Sequence, residues 1–197
     1  MTLYVAEPRP LGSQLTIWPH DRRRAALASR GIVFDTDSGY AGVLLDRENR
    51  LLEATLPADD PGDAAETLGL GESSPFAGPD PALDLVDRIR RYFAGERIEF
   101  DWPLDLSTFT TFQREALSIC ASIPYGETRS YGWIAERMGR HKSARPVGQA
   151  MGRNPIPIVI PCHRVIGSND RLIGYGGGTD WKLRLLRLEG VDTDRLR

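Results

Sequence analysis

The sequence predicts an α+β fold in two parts: a small antiparallel sheet with one helix, followed by a mostly helical half. Three observations predict it. Short apolar runs at 31–37, 40–46 and 50–56 are separated by Asp37-Ser38-Gly39 and Arg47-Glu48-Asn49, the pattern of successive hairpins. From residue 110 onward, cap residues and glycines bracket helix-length segments instead. Charge also divides along the chain: residues 1–107 carry 11 Lys/Arg against 19 Asp/Glu, residues 108–197 carry 14 against 8. The implied organisation is an N-terminal α/β scaffold domain at 1–107 (its first 30 residues poorly defined), a C-terminal domain at 108–191, and a tail at 192–197.

In the first half, residues 1–14 read as irregular and 22–30 as a short helix. The stretch 57–81 is rich in Pro, Gly, Asp and Ser and reads as a surface loop. Leu83, Val86, Ile89 and Phe93 recur at helical spacing and Gly95 stops that helix. Residues 98–106 read as a linker strand. No chemistry is visible in this half.

Thr110 with Gln113 forms the signature of a capping box for a helix through Ile123. Phe112, Ala116, Ile119, Cys120 and Ile123 share its apolar face, which makes Cys120 a core residue. Pro124-Tyr125-Gly126-Glu127 is a turn. Ser130 caps a helix over 131–138, closed by Gly139. Ser143 caps another from 144 to about 153, with Pro146 in the first turn, where N–H groups lack helical partners anyway. Two short helices joined by a tight Gly-containing turn read as helix-turn-helix. Residues 129–153 hold six basic side chains and one acid, Glu136, as a nucleic-acid face requires. Ala144, Gly148, Ala150 and Gly152 make the second of these helices slim enough for close backbone approach. Residues 167–178 form a loop containing Gly174-Tyr175-Gly176-Gly177-Gly178. Thr179 caps a last helix, with Leu183, Leu186 and Leu188 inward and Glu189 before Gly190.

The most distinctive stretch is Asn154-Pro155-Ile156-Pro157-Ile158-Val159-Ile160-Pro161-Cys162-His163-Arg164-Val165. Its three prolines exclude a helix and predict an extended, stiff, buried segment. Cys162 is thus presented at a fixed place. A free thiol with a pKa of about 8.5 is only a few per cent ionised at neutral pH and needs a neighbouring base or cation, for which His163 is the candidate. The plain alternative is a small buried hydrophobe beside a coincidental histidine.

Pro-Cys-His-Arg-Val preceded by Asn-Pro-x-Pro-Ile resembles the active-site signature of the O6-alkylguanine-DNA alkyltransferases (methylated-DNA–protein-cysteine methyltransferases). The likeness runs from Gly31 to Val191, closely from Phe112-Gln113-Arg114 onward. It implies DNA repair by irreversible transfer of an alkyl group from O6-alkylguanine, and from O4-alkylthymine, to Cys162. Minor-groove binding and base flipping would precede transfer. It implies His163 as base through water, Glu189 orienting the imidazole, Asn154 bracing the turn, and Tyr131 donating a hydrogen bond to guanine. Arg145 would fill the vacated stack, with Ser143, Ala144, Gly148 and Arg153 also facing DNA. Tyr175, Gly176, Val165 and Pro157 would line the pocket; Gly176 stands where many members have serine, so one hydroxyl donor is missing.

Two other classes fit parts of the pattern. An alkyltransferase-like binding protein would lack the cysteine. A thiol hydrolase is disfavoured because adjacent Cys and His side chains in an extended segment point apart.

With 41% apolar and 26% charged residues, the composition is that of a soluble globular protein. No apolar run approaches a membrane span and no signal peptide is apparent. Two cysteines suggest neither a disulfide framework nor a zinc site, and a free thiol suits a reducing compartment. A cytoplasmic monomer acting on double-stranded DNA, without metal or cofactor, is expected.

Overall fold

The computed structural model describes residues 3–6, 28–70, 74–75 and 81–196. The chain divides into two compact units, Met1–Thr108 and Phe109–Arg197.

In the first unit, β1 (Leu3–Ala6), β2 (Ala28–Thr36), β3 (Gly39–Asp46), β4 (Leu51–Ala54) and β5 (Ser74–Pro75) form one sheet in the order β4-β3-β2-β1-β5. The pairings named along it are all antiparallel. The β2–β3 hairpin turns at Asp37-Ser38, with Thr36 Oγ1 donating to Gly39 O at 2.7 Å. Gly39 sits at φ +116, and a Cβ there would lie 2.4 Å from Ala58 O, so no other residue fits without a shift. Beyond β3, Asp46 Oδ1 accepts from the Glu48 and Arg50 amides and closes the second turn.

Helix α1 (Pro61–Thr67) starts at Asp60, whose side chain accepts from Gly62 N, with Pro61 in the first turn. Ala64 and Ala65 pack with Val33, Leu44, Leu52, Leu68 and Leu70. Helix α2 (Leu83–Phe93) buries Leu85, Val86, Ile89, Tyr92 and Phe93, and Arg90 lies over the Phe34 ring. Val33 and Phe34 alternate across the strand, so α1 and α2 cover opposite faces.

Several expectations are corrected here. Residues 3–6, read as irregular, form a strand, because pairing with β2 supplies what local propensity lacks. The helix expected at 22–30 is contradicted at 28–30, which is strand; 22–27 lie outside the described residues. The loop expected at 57–81 contains α1 and β5. Residues 98–106 form no strand; a single bridge joins Leu104 to Leu51.

In the second unit, the capping box is present: α3 (Thr111–Ala121) starts with Thr110 and Gln113 bonded reciprocally. It buries Ala116, Leu117 and Cys120, with Leu117 rather than Phe112 and Ile119 completing the core face. Strand β6 (Arg129–Ser130) leads into α4 (Tyr131–Arg137), capped by Ser130, which accepts from Trp133 N at 3.0 Å. Gly139 at φ +67 closes α4, and α5 (Ala144–Met151) packs against both α4 and α3. This is the helix-turn-helix.

Strand β7 (Val165–Ile166) pairs in parallel with β6, and α6 (Thr179–Leu188) ends the fold. Ser143 stands at the start of α5 but makes no capping bond, and the residue before α6 is Gly178, not a capping Thr179. The inward face of α6 is Lys182, Leu185, Leu186 and Glu189, whereas Leu183 and Leu188 are only half-buried. Among the described residues no helix is long and apolar enough to cross a membrane.

Candidate active site and nucleic-acid interface

Pairing of β6 with β7 assembles the site. Strand β6 runs straight into Tyr131, and β7 follows directly on a 3-10 turn over Cys162–Arg164. Registering Arg129 with Val165 and Ser130 with Ile166 brings the start of α4 to the cysteine turn.

The segment before Cys162 is buried as expected, but it is not extended. Ile160 N donates to Ile156 O and Val159 N to Pro157 O, both at 2.9 Å, folding 156–160 into consecutive turns. A proline φ near −65° forbids a continuing helix but suits tight turns. Ile158 has φ +75. For a β-branched residue that conformation costs roughly 1–3 kcal/mol, and it persists because the surroundings over-determine it.

Asn154 ties the turns to the thiol. Its Nδ2 donates to Ile160 O at 2.8 Å and to Cys162 Sγ at 2.9 Å. Its Oδ1 accepts from Ile156 N at 3.1 Å. Burial pushes the Cys162 thiol up, while the Asn154 donor and the Lys182 charge pull it down. The Tyr175 hydroxyl is buried without an acceptor at hydrogen-bond geometry, yet it lies near enough to the sulfur to favour the thiolate. Cys120, also a free thiol, is held well up by burial, which leaves it unreactive in the α3 core.

Behind Cys162 lies a buried ionic cluster. His163 Nε2 meets Glu189 Oε1 at 2.7 Å. Arg164 donates to the same carboxylate twice, Nε to Oε2 at 2.8 Å and Nη2 to Oε1 at 2.9 Å, and Nη1 donates to Ile123 O at 2.6 Å. Gly126 N adds a bond to Oε2 at 3.1 Å. Burial would raise Glu189, but the His163 and Arg164 bonds outweigh it and hold the carboxyl at about 2. Burial lowers His163 despite Glu189. The two directions agree if Arg164, not an imidazolium, neutralises Glu189. An ionised carboxylate has no proton to give, so Nε2 carries the hydrogen and Nδ1 the lone pair. Successive side chains in a 3-10 turn diverge by about 120°. The case against a direct Cys162–His163 dyad therefore stands on this geometry, not on an extended backbone.

Tyr131 donates to Gly174 O at 3.5 Å, a long contact, and burial pushes its hydroxyl up to about 12. Val165 is fully buried, Pro157 and Tyr175 half-buried, and Gly176 exposed. A Cβ at Gly176 would meet Gly152 O at 3.7 Å, ordinary contact, so the missing side chain there is not a steric requirement.

On the helix-turn-helix, Ala144, Arg145 and Arg153 are exposed, and Ser143 and Gly148 half-exposed. Ala150 faces the core, so the slim outer surface of α5 consists of Ala144, Gly148 and, at its end, Gly152. A Cβ on Gly148 would lie 3.7 Å from the Tyr131 ring, so α4 and α5 pack closely there. Arg129 and Arg137 both lie over the Trp133 ring, at 5.6 and 4.7 Å.

Two residues escaped sequence reasoning. Arg164 donates twice to Glu189 and helps hold it ionised. Lys182, which no motif singles out, is fully buried. Its spacing of seven from Glu189, two turns on one face of α6, was the available signal.

The fold and site define a DNA-binding protein with a buried, hydrogen-bonded cysteine beside a helix-turn-helix. The family model for the 6-O-methylguanine DNA methyltransferase DNA-binding domain matches residues 111–191. A methylated-DNA–protein-cysteine methyltransferase of Mycobacterium tuberculosis is 53% identical over 113 residues, 56% of this chain and 68% of that protein. The constitutive enzyme of that name from Bacillus subtilis is 38% identical over 150 residues, 76% of this chain and 88% of that protein. The crystal structure of Mycobacterium tuberculosis OGT in complex with DNA superposes with a TM-score of 0.63 at 40% identity, covering 83% of this chain and 92% of that one. The chain belongs to the methylated-DNA–protein-cysteine methyltransferase family.

Proposed function

We propose that this chain repairs DNA by taking the alkyl group of O6-alkylguanine onto Cys162, once per molecule. The observation that carries this reading is the thiol bonded to Asn154 beside a buried His163–Glu189–Arg164 cluster. That cluster holds a base on the same turn as the nucleophile and fixes a negative charge against that base.

The duplex lies against the helix-turn-helix, with Arg145, Arg153, Ser143, Ala144 and Gly148 facing it. An alkyl group on guanine O6 is buried in the stack, so the nucleotide must rotate out, at a cost of a few kcal/mol. Arg145, exposed on the first turn of α5, takes the vacated space. The base enters a pocket walled by Tyr175, Gly176, Val165 and Pro157. Tyr131, protonated at neutral pH, donates a hydrogen bond to the guanine ring.

The thiol proton passes through water to Nδ1 of His163, and Glu189 stabilises the resulting imidazolium. Cys162 Sγ then bonds to the alkyl carbon as the carbon–O6 bond breaks. The electron pair returns to the guanine ring, which regains a proton from the imidazolium through water. The product is guanine and an S-alkyl thioether. O4-alkylthymine presents the same alkyl-oxygen bond and is a second substrate. We infer a monomer working in the cytoplasm, where its free thiols stay reduced.

Cys162→Ala tests the reading. Transfer from O6-methylguanine duplex should vanish while duplex affinity stays within about twofold, since the alanine leaves the helix-turn-helix intact. Demethylation by the Cys162→Ala protein would overturn it.

A further inference from the structure

Lys182 is the buried charge that the chemistry above leaves unused. It lies in the first turn of α6 with 0% exposure. Nζ donates to Val165 O at 2.7 Å and to Ile173 O at 2.9 Å. Val165 leaves the cysteine turn through β7, and Ile173 precedes the Gly174-Tyr175 wall. One ammonium therefore clamps the two strands of chain that bound the pocket. Its Nζ also lies 5.9 Å from the Tyr131 ring centroid.

A buried lysine costs several kcal/mol in desolvation, and hydrogen-bonded carbonyls offset that only in part. A clamp alone has a less costly solution in a neutral donor, so the charge itself calls for a use.

We propose that Lys182 is a positioning residue: its ammonium, fixed by Val165 O and Ile173 O, favours ionisation of Cys162 and holds the Tyr175 wall against it. This rests on Cys162 being the alkyl acceptor. The groups that feel the charge are Cys162 and His163 on the 3-10 turn and Tyr131 on α4. Lys182 favours the Cys162 thiolate and disfavours an imidazolium at His163. Burial brings Lys182 down to about 8. Below that pH it is charged and stabilises the thiolate; above it the ammonium loses its proton and the stabilisation fades.

The test compares the full-length protein with Lys182→Met, which keeps the volume, and Lys182→Gln, which keeps a neutral donor. Methyl transfer from O6-methylguanine duplex and carboxamidomethylation by iodoacetamide are timed from pH 6 to 10. Adducts are located by peptide mass. The parent should outpace both variants by roughly tenfold, equivalent to about one pKa unit, well below pH 8. That ratio should fall toward one above it. A ratio that does not change with pH makes Lys182 a purely structural clamp and overturns the proposal. Loss of folding in both variants does the same. Methyl found away from Cys162 in the parent refutes the underlying reading instead, so the two failures are distinguishable.

Discussion

Glu189 joins His163 and Arg164 in one buried cluster, and its charge can be read in the pH dependence of stability. Held at about 2 in the fold, it lies below the roughly 4.3 of an unfolded glutamate. Its contribution is complete above that unfolded value and is lost as pH falls from there toward 2. His163 acts higher: buried and lowered, it leaves the unfolded chain to bind the proton first, so stability declines once pH drops below about 6.5. Thermal unfolding from pH 7 to 2 should show both segments. Glu189→Gln should remove the lower one, and should cost roughly 3–5 kcal/mol at pH 7 because Arg164 is left as an uncompensated buried charge. An unchanged acid slope in that variant would contradict the assignment. Asn154→Ala should slow iodoacetamide alkylation of Cys162 several-fold at neutral pH and raise the midpoint of its pH profile, since the donor at 2.9 Å from sulfur is gone. An unmoved midpoint would show that the bond does not tune the thiol. That Cys162, His163, Asn154 and Glu189 lie together was legible because their order along the chain is distinctive. The burial of Lys182 and the bonds of Arg164 to Glu189 were not, since only the fold brings their partners to them.

At the level of elements, the proposed reading has α4 and α5 carry the duplex, and the turn at 154–164 carries the thiol. If Arg145 acts by filling the stack, Arg145→Ala should impair repair of O6-methylguanine in duplex far more than reaction with the free alkylated base. Equal losses on both would refute that role. Binding should weaken with salt, and the log–log slope should flatten by about 0.9 for each phosphate contact removed, as with Arg153→Ala. Titrations at several salt concentrations measure it. Helices with side-chain caps were legible: Thr110 and Gln113 announce α3, and Ser130 announces α4. The 154–161 turns were misread as extended because prolines report what a chain cannot do more clearly than what it does. Strand β1 and helix α1 were missed for another reason. Pairing with β2 makes the first, and packing on Val33 and Leu44 supports the second; neither partner is local in sequence.

For the whole molecule, the site residues all lie in the unit Phe109–Arg197, which is also the basic part of the chain. The central claim is that each molecule acts once. An acyl-thioester could be hydrolysed by water activated at His163, but a saturated thioether has no carbonyl to attack. Restoring the thiol would require a second nucleophile at the alkyl carbon, and Cys120 is locked in the α3 core. The direct measurement is a titration of the protein with excess O6-methylguanine duplex, counting repaired guanines and weighing the Cys162 peptide. The account predicts a plateau at one methyl per active molecule, with the added mass on Cys162. Repaired guanines clearly exceeding the moles of protein, or methyl on any other residue, would contradict it.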